Sequence, residues 1–231
     1  MATMHAKDTG AYAKDSTEAK ENADLIYSFL KGKGWTVNAV AGLLGNMGSE
    51  SGYNPWRWQG DNVQPKGNSP WNNIGYGLVQ FTPAGKYINN GEAKKNGFYA
   101  PNFSDKTGSP TDGLSQLAFI NKYADYIPTG TYPISYEDFK KSTQTPEYLA
   151  SVWLYNYERP ADPQATEQTR QNDANYWYEY LTGHEPPTPP TPPTPKQKKS
   201  KWLYFTSKWV KYKIKRDDFN TLIKKGVLKR V

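Results

Sequence analysis

Residues 35–59 read WTVNAVAGLLGNMGSESGYNPWRWQ, and the rest of the chain is read outward from them. Val37, Val40, Ala41, Leu44 and Met47 recur at i, i+3, i+4, i+7 and i+10, which is one stripe of an α-helix. Thr36 stands where an N-cap belongs, its hydroxyl able to accept from the first free backbone N–H groups. Gly48, Gly52 and Pro55 interrupt the pattern, so a helix is expected from about Val37 to Ser49. Glu50 is then carried to the end of a core helix, just before a turn rich in Gly, Asn, Pro and Trp. A carboxyl half inside a core and half facing a cleft is in the setting that raises a pKa toward neutrality and suits a general acid. The ordinary alternative is a solvated helix-end glutamate, so the neighbouring motifs have to decide.

Those motifs are ESGYNP at Glu50 to Pro55, GYGLVQFTP at Gly75 to Pro83 and WLYNYERP at Trp153 to Pro160. Their order and spacing resemble the lysozyme-like superfamily, in which a helix-terminal Glu-Ser precedes a Gly-Leu-x-Gln hairpin and a distal Tyr-Asn helix. Within it, the chain is most similar to the phage tail lysozyme group over roughly residues 20 to 182. The resemblance implies a mainly α, lysozyme-like α+β fold: a helical catalytic domain with a small irregular β region and a cleft between them. It also implies that Glu50 is the acid, that Gln80 binds sugar, and that Tyr155 and Asn156 line the floor near the acid, with Tyr157 as the alternative inward ring.

At 231 residues and 36% hydrophobic, the chain can bury one good core and carry a small appendage. It has no cysteine, which removes a disulfide framework, a zinc–thiolate site and a thiol nucleophile. His5 and His184 stand apart, so no metal or other cofactor is expected. There is no run of eighteen apolar residues to span a membrane, and the polar start MATMHAKDTGAYAKDS reads as no signal peptide. Delivery to a cell wall would then need holin-dependent release from the host cytoplasm or carriage as part of a virion.

Charge divides the chain. Residues 196–231 hold thirteen Lys and Arg against two Asp, a local +11, whereas the whole chain is +7, leaving −4 for residues 1–195. Between the two lies PPTPPTPPTP, Pro186 to Pro195, which favours extended polyproline II and spans roughly 30 Å at about 3.1 Å per residue. The expected organisation is a flexible leader at 1–14, a catalytic domain at 15–184, a Pro/Thr linker at 185–199 and a basic aromatic module at 200–231.

Within the domain, a first helix is expected from Asp15 to about Lys31, with Asp15 and Glu18 as a capping box. Further helices are expected from Pro83 to Asn90, Asp112 to Tyr126, Pro146 to Tyr157 and Pro163 to Leu181, with a short strand over Tyr76 to Phe81. In the basic segment, Lys208 to Lys215 alternates as a strand and Asp218 to Lys225 suits a helical turn.

Glycosidic cleavage passes through an oxocarbenium-like transition state and uses an acid for the leaving oxygen plus a second group for the water or cation. Asp61, eleven residues beyond Glu50 in WQGDN, is the candidate second carboxylate, with an Asx turn as its structural alternative. Glu158 is expected to pair with Arg159 or cap local backbone. If neither serves, a lytic transglycosylase needs one carboxyl only. Trp56, Trp58, Trp71, Tyr76, Tyr87 and Tyr99 crowd the irregular region and offer flat faces to sugars, with Gln80, Asn72 and Asn73 as hydrogen-bonding groups. In the basic module Trp202, Trp209, Lys211 and Lys213 are the candidate wall-binding residues. The expected activity is cleavage of the β-1,4 bond between N-acetylmuramic acid and N-acetylglucosamine in bacterial peptidoglycan, with the tail on teichoic acid or another anionic wall polymer. A glucosaminidase is the near alternative, and a non-catalytic wall- or nucleic-acid-binding protein is the rival of a different class, with nucleic acid ranked below the wall.

Overall fold

The structure, a computed structural model, describes residues 3–61, 74–88, 108–183, 202–206 and 211–215. It divides into two compact units, Met1–Pro189 and Pro190–Val231. The first unit is mainly helical and is built on the helix read first, α2 (Val37–Ser51). Thr36 caps it, its side chain accepting from the Ala39 N–H at 3.1 Å. Gly52 ends it in the left-handed region at φ 55°, where a residue without Cβ closes the last turn without strain. The helix therefore runs two residues past its expected end, and Glu50 sits inside its last turn.

Around α2 pack α1 (Thr17–Lys31), α5 (Tyr136–Lys141), α6 (Pro146–Trp153) and α7 (Gln164–Gly183); α3 (Gly85–Ile88) and α4 (Asp112–Tyr123) complete the unit. Every residue of α2 from Ala39 to Met47 is buried, the pattern of a helix enclosed on all sides rather than laid on a surface. Its closest neighbour is the backbone of α7: a Cβ on Gly45 would lie 2.3 Å from the Arg170 carbonyl oxygen and 2.9 Å from the Ala174 nitrogen. Trp153 and Trp177 fill the core beside α2, and each indole N–H finds an acceptor, Glu158 Oε1 and the Tyr53 hydroxyl respectively.

Several expected boundaries move. Ser16, not Asp15, caps α1, accepting from the Ala19 N–H at 3.2 Å. The expected helix from Pro146 stays α-helical only to Trp153 and then opens into a π turn, Leu154–Glu158, closed by Arg159 at φ 48°. α5 has no counterpart in the sequence reading, because six residues with one buried side chain, Phe139, leave almost no periodic trace. Residues 1–14 read as a free leader, yet from Met4 onward they are strapped to the domain. Met4 is buried, Asn22 and Asn54 bond the backbone at His5, Lys7 and Gly10, and the Tyr12 N–H donates to the Gly52 carbonyl at 2.9 Å.

The irregular region is a hub of buried polar groups rather than a strand. Tyr76 makes single β-bridges to Trp58 and Phe81. Gln116 accepts from the Leu78 N–H at 2.8 Å and donates to the Pro55 carbonyl at 2.7 Å, while Ser51 donates to the Leu78 carbonyl at 2.9 Å. Asp112, almost fully buried, accepts from the hydroxyls of Tyr76 and Tyr87. These bonds meet the backbone demand that a ladder would otherwise meet.

In the second unit β1 (Trp202–Thr206) and β2 (Lys211–Lys215) pair antiparallel, with Trp202 opposite Lys215 and Thr206 opposite Lys211. The expected helical turn at 218–225 and the expected linker at 185–199 lie outside the described residues.

Two outcomes follow from this packing. Gly45→Ala should cost roughly 1–3 kcal/mol, because the methyl group meets backbone that cannot step aside, and thermal unfolding reads the loss. Burial raises the Asp112 carboxyl from 3.8 to about 6. The folded state therefore holds that proton more tightly than the unfolded chain, so this contribution is fully present below pH 3.8 and is lost as pH rises through about 6. Asp112→Asn, which does not titrate, should gain in midpoint relative to wild type as pH is raised from 4 to 7.

Candidate active site

Glu50 lies in the last turn of α2, its side chain 20% exposed, with Oε1 accepting from Arg170 Nη2 at 2.6 Å. Arg170, on α7, is 4% exposed and is fixed at three points: Nη2 on Glu50, Nη1 on Asn46 Oδ1 at 2.9 Å and Nε on Thr166 Oγ1 at 3.1 Å. Asn46 is set in turn by the Gly42 and Ala150 carbonyls, at 2.9 and 3.0 Å. The Glu50 carboxyl is thus aimed by two helices and not left to rotate.

Two hollows open on Glu50. One is lined with it by Gln80, Thr82, Tyr157, Glu158 and Arg159, and the other by Gln80, Thr82, Arg57 and Gln59. Glu50, Gln80 and Thr82 belong to both, so the two hollows adjoin at these residues and are treated together as one trough. Gln80 takes its place with φ 44°, its amide donating to the Arg57 and Gly77 carbonyls at 3.0 and 3.1 Å. Among the described residues Tyr53, Asp61 and Arg159 are the other non-glycines at positive φ, and all three lie in the turns flanking the trough.

The second carboxyl of the trough is Glu158, carried in by the π turn. Its Oε1 accepts from Trp153 Nε1 at 2.8 Å, so it neither pairs with Arg159 nor caps backbone. Burial first and the Glu50 charge second hold it well above the usual carboxylate range, against the pull of Arg170. Arg159 instead clamps the segment after α4, donating to the Asp125 and Asn156 carbonyls and to Asp125 Oδ2 at 3.1 Å. Lys86 reaches the same Asp125 oxygen at 3.2 Å, and its hydrogen bond lowers the Asp125 carboxyl.

Asp61 does not line the trough. Its carboxylate is exposed and taken up by Arg57, at 2.8 and 3.1 Å, and by the Gly10 N–H at 2.9 Å. Those bonds, led by Arg57, hold its carboxyl below the ordinary value. Asp61 ties the N-terminal strap to Arg57, which is the residue that reaches the trough.

Other expected sugar-binding groups are placed elsewhere. Tyr76 is fully buried and Trp58 nearly so, with ring centroids 4.4 Å apart, because the Tyr76 hydroxyl is drawn inward to Asp112. Tyr87 is buried in the same cluster, while Trp71, Asn72, Asn73 and Tyr99 lie outside the described residues. Asn156 is fully buried and brackets loop backbone, bonding Thr129, Tyr126 and Tyr132; Tyr155 bonds Glu167. The widened turn moves the trough-facing positions from Tyr155 and Asn156 to Tyr157 and Glu158. Arg170 thus enters the site without having been expected there, and Glu158 enters it in place of the expected pairing with Arg159. The only sequence trace of Glu158 is an acidic residue closing an aromatic helix.

Among the described residues no group of three or more His, Cys, Asp or Glu is placed to hold a metal ion. No described helix is long and apolar enough to cross a membrane.

Comparison of the sequence with known proteins identifies a family. Over 169 residues, 72% of this chain, the sequence is 38% identical to Morphogenesis protein 1 of Bacillus phage B103. That stretch is 40% of the relative, so the chain spans well under half of that protein's length. The phage tail lysozyme family matches residues 21–181, from the second turn of α1 to the last turn of α7, and the chain belongs to that family.

Proposed function

We propose that the first unit cleaves the β-1,4 bond between N-acetylmuramic acid and N-acetylglucosamine in bacterial peptidoglycan, with Glu50 as the general acid. The observation that carries this reading is the trough at Glu50. A glycan strand must extend in both directions from a bond cut within it, and Glu50 lines two adjoining hollows together with Gln80 and Thr82. Among the described residues Arg170 is the hydrogen-bond partner of Glu50, through Oε1. In the reaction a carboxyl proton passes to the glycosidic oxygen, the C1–O bond breaks, and water adds at C1 as its proton returns to the site. Gln80 and Arg57 offer hydrogen bonds to acetamido and hydroxyl groups on the two sides of the cut.

One observation favours a second reading. Asp61 is engaged by Arg57 and the Gly10 N–H, which supports a lytic transglycosylase, where the sugar's own hydroxyl replaces water and one carboxyl serves. Mass spectrometry of released muropeptides separates the two: a reducing muramic end marks hydrolysis, an anhydro end marks transglycosylation, and a reducing glucosamine end marks a glucosaminidase. The name of the B103 relative favours service in a phage virion over release at lysis.

For the basic segment, the hairpin register puts Trp202, Tyr204, Lys211, Lys213 and Lys215 at positions of one face and Leu203, Phe205, Tyr212 and Ile214 at positions of the other. A ribbon with one cationic aromatic face suits a teichoic acid or similar polyanion of the wall. Trp209 lies outside the described residues.

Glu50→Gln should lower wall-lysis activity by at least about a hundredfold with little change in folding, as loss of a general acid does. A variant that lyses purified walls at near-native rate excludes the assignment. Removal of residues 196–231 should leave cleavage of small soluble muropeptides nearly unchanged and weaken retention on intact walls. That loss should be largest at low salt, because exposed lysines are screened over roughly 8–10 Å at physiological ionic strength.

A further inference from the structure

The trough carries its charges unevenly. In the hollow lined by Arg57, that guanidinium is matched one charge for one by the Asp61 carboxylate, at 2.8 and 3.1 Å. Lys86, Asp125 and Arg159 line only the other hollow. There two cations converge on a single carboxylate oxygen: Lys86 Nζ lies 3.2 Å and Arg159 Nη2 3.1 Å from Asp125 Oδ2. One carboxylate cancels one of them, and an excess positive charge is left on the wall of the hollow. Glu50, which lines the same hollow, is already matched by Arg170 at 2.6 Å. Glu158 is held well above the usual carboxylate range, chiefly by burial, so it does not supply the missing anion.

The two cations are not held alike. Arg159 closes the π turn at φ 48°, a backbone setting that residues with a Cβ seldom adopt. Its guanidinium is fixed by the Asp125 and Asn156 carbonyls as well as by the Asp125 carboxylate. Lys86 comes from the short α3 and its side chain is 45% exposed. Among the described residues its ammonium, with three donors, makes one bond, to Asp125. Arg159 thus keeps Asp125 in place, and Lys86 is the cation able to turn to a ligand without breaking the Arg159–Asp125 pair.

We propose that Lys86, Asp125 and Arg159 form a carboxylate-binding subsite of the trough, in which Lys86 takes an acidic group carried on the glycan strand. The inference rests on the reading of the trough as a peptidoglycan groove with Glu50 as its acid. The sugar rings of such a strand offer neutral hydroxyl and acetamido groups, which do not answer a surplus of positive charge. The anions of the polymer are carboxylates, on the peptide stems and, where a stem has been removed, on the lactyl group of muramic acid. A carboxylate accepts from an ammonium in a charge-assisted hydrogen bond and restores neutrality to the hollow. Lys86 therefore acts on substrate affinity and selection, and takes no part in the proton transfer.

The test is the initial rate of the full-length protein on soluble, uncrosslinked peptidoglycan fragments. One batch is native, and the other has its carboxyls converted to amides with carbodiimide and ammonia. Lys86→Met should raise KM on native fragments by about threefold or more with kcat little changed, and bring it close to the KM on amidated ones. Lys86→Arg, which keeps the charge, should restore most of the difference. The basic tail is the same in every variant, so its own attraction cancels in the comparison. Strands freed of peptide by an amidase keep their lactyl carboxylates and name the source. A Lys86→Met effect that persists on them places the lactyl group in the subsite, and one that disappears places the stem there. Equal KM values for wild type and Lys86→Met on native fragments overturn the inference and leave a surface ion cluster without a ligand. A loss of equal size on native and amidated fragments overturns it as well. Near-native activity of Glu50→Gln overturns the underlying reading of Glu50 instead, so the two failures are told apart. Should Lys86→Met not fold, Lys86→Gln removes the same charge with a polar side chain and is read in the same way.

Discussion

The ion pair between Glu50 and Arg170 is the interaction on which the arrangement of the domain depends. It joins the end of α2 to the middle of α7 and is made deep enough that Arg170 is nearly sealed from solvent. A buried guanidinium is costly unless its donors are matched, and here Glu50, Asn46 and Thr166 match them. The distance is set by Gly45, whose missing side chain lets the α7 backbone approach. Removing either element would leave a charge buried without its partner, so the fold and the aim of the carboxyl are maintained by the same contacts.

The opposite wall of the trough is held by different means. Among the described residues it makes only single β-bridges, and it is pinned by Ser51, Gln116 and the Asp112–tyrosine cluster. Tyr76 and Tyr87, expected to face sugar, are consumed in that pinning through Asp112. The trough is lined mostly by polar and charged groups, with Tyr157 as its aromatic member. The groups this part of the trough offers are therefore hydrogen-bonding ones, Gln80, Gln59 and Arg57, more than ring faces.

The wider turn after Trp153 has a particular consequence. An α-helical continuation would present Tyr155 and Asn156 differently, and a π turn instead brings Tyr157 and Glu158 to the trough while Asn156 is buried to bracket a loop. Insertions of this kind recur at functional sites because they re-aim a side chain without disturbing the helix before them. Here the re-aimed residue is a carboxyl placed within the field of Glu50 and of Arg170.

Much of this was legible from sequence because it depends on local rules. The stripe from Val37 to Met47, the Thr36 cap and the stop at Gly52 define α2 through periodicity and backbone preference, and they carry Glu50 to its end. The order of the Glu-Ser, Gly-Leu-x-Gln and Tyr-Asn motifs was enough to indicate the family, and Gln80 does reach the groove beside Glu50. What tertiary structure alone decided is which polar groups meet across long chain separations. Arg170 stands 120 positions from Glu50, in a helix whose sequence marks it only as one more exposed-looking cation. Asp61 looked like a cleft residue and proved to be a tie between Arg57 and the N-terminal strap, while Tyr76 looked exposed and was drawn inward by a buried aspartate. The physical reason is the same in each case. Burial of a polar or charged group is decided by the partner waiting for it, and that partner is brought in by the packing of other elements, which no local pattern records.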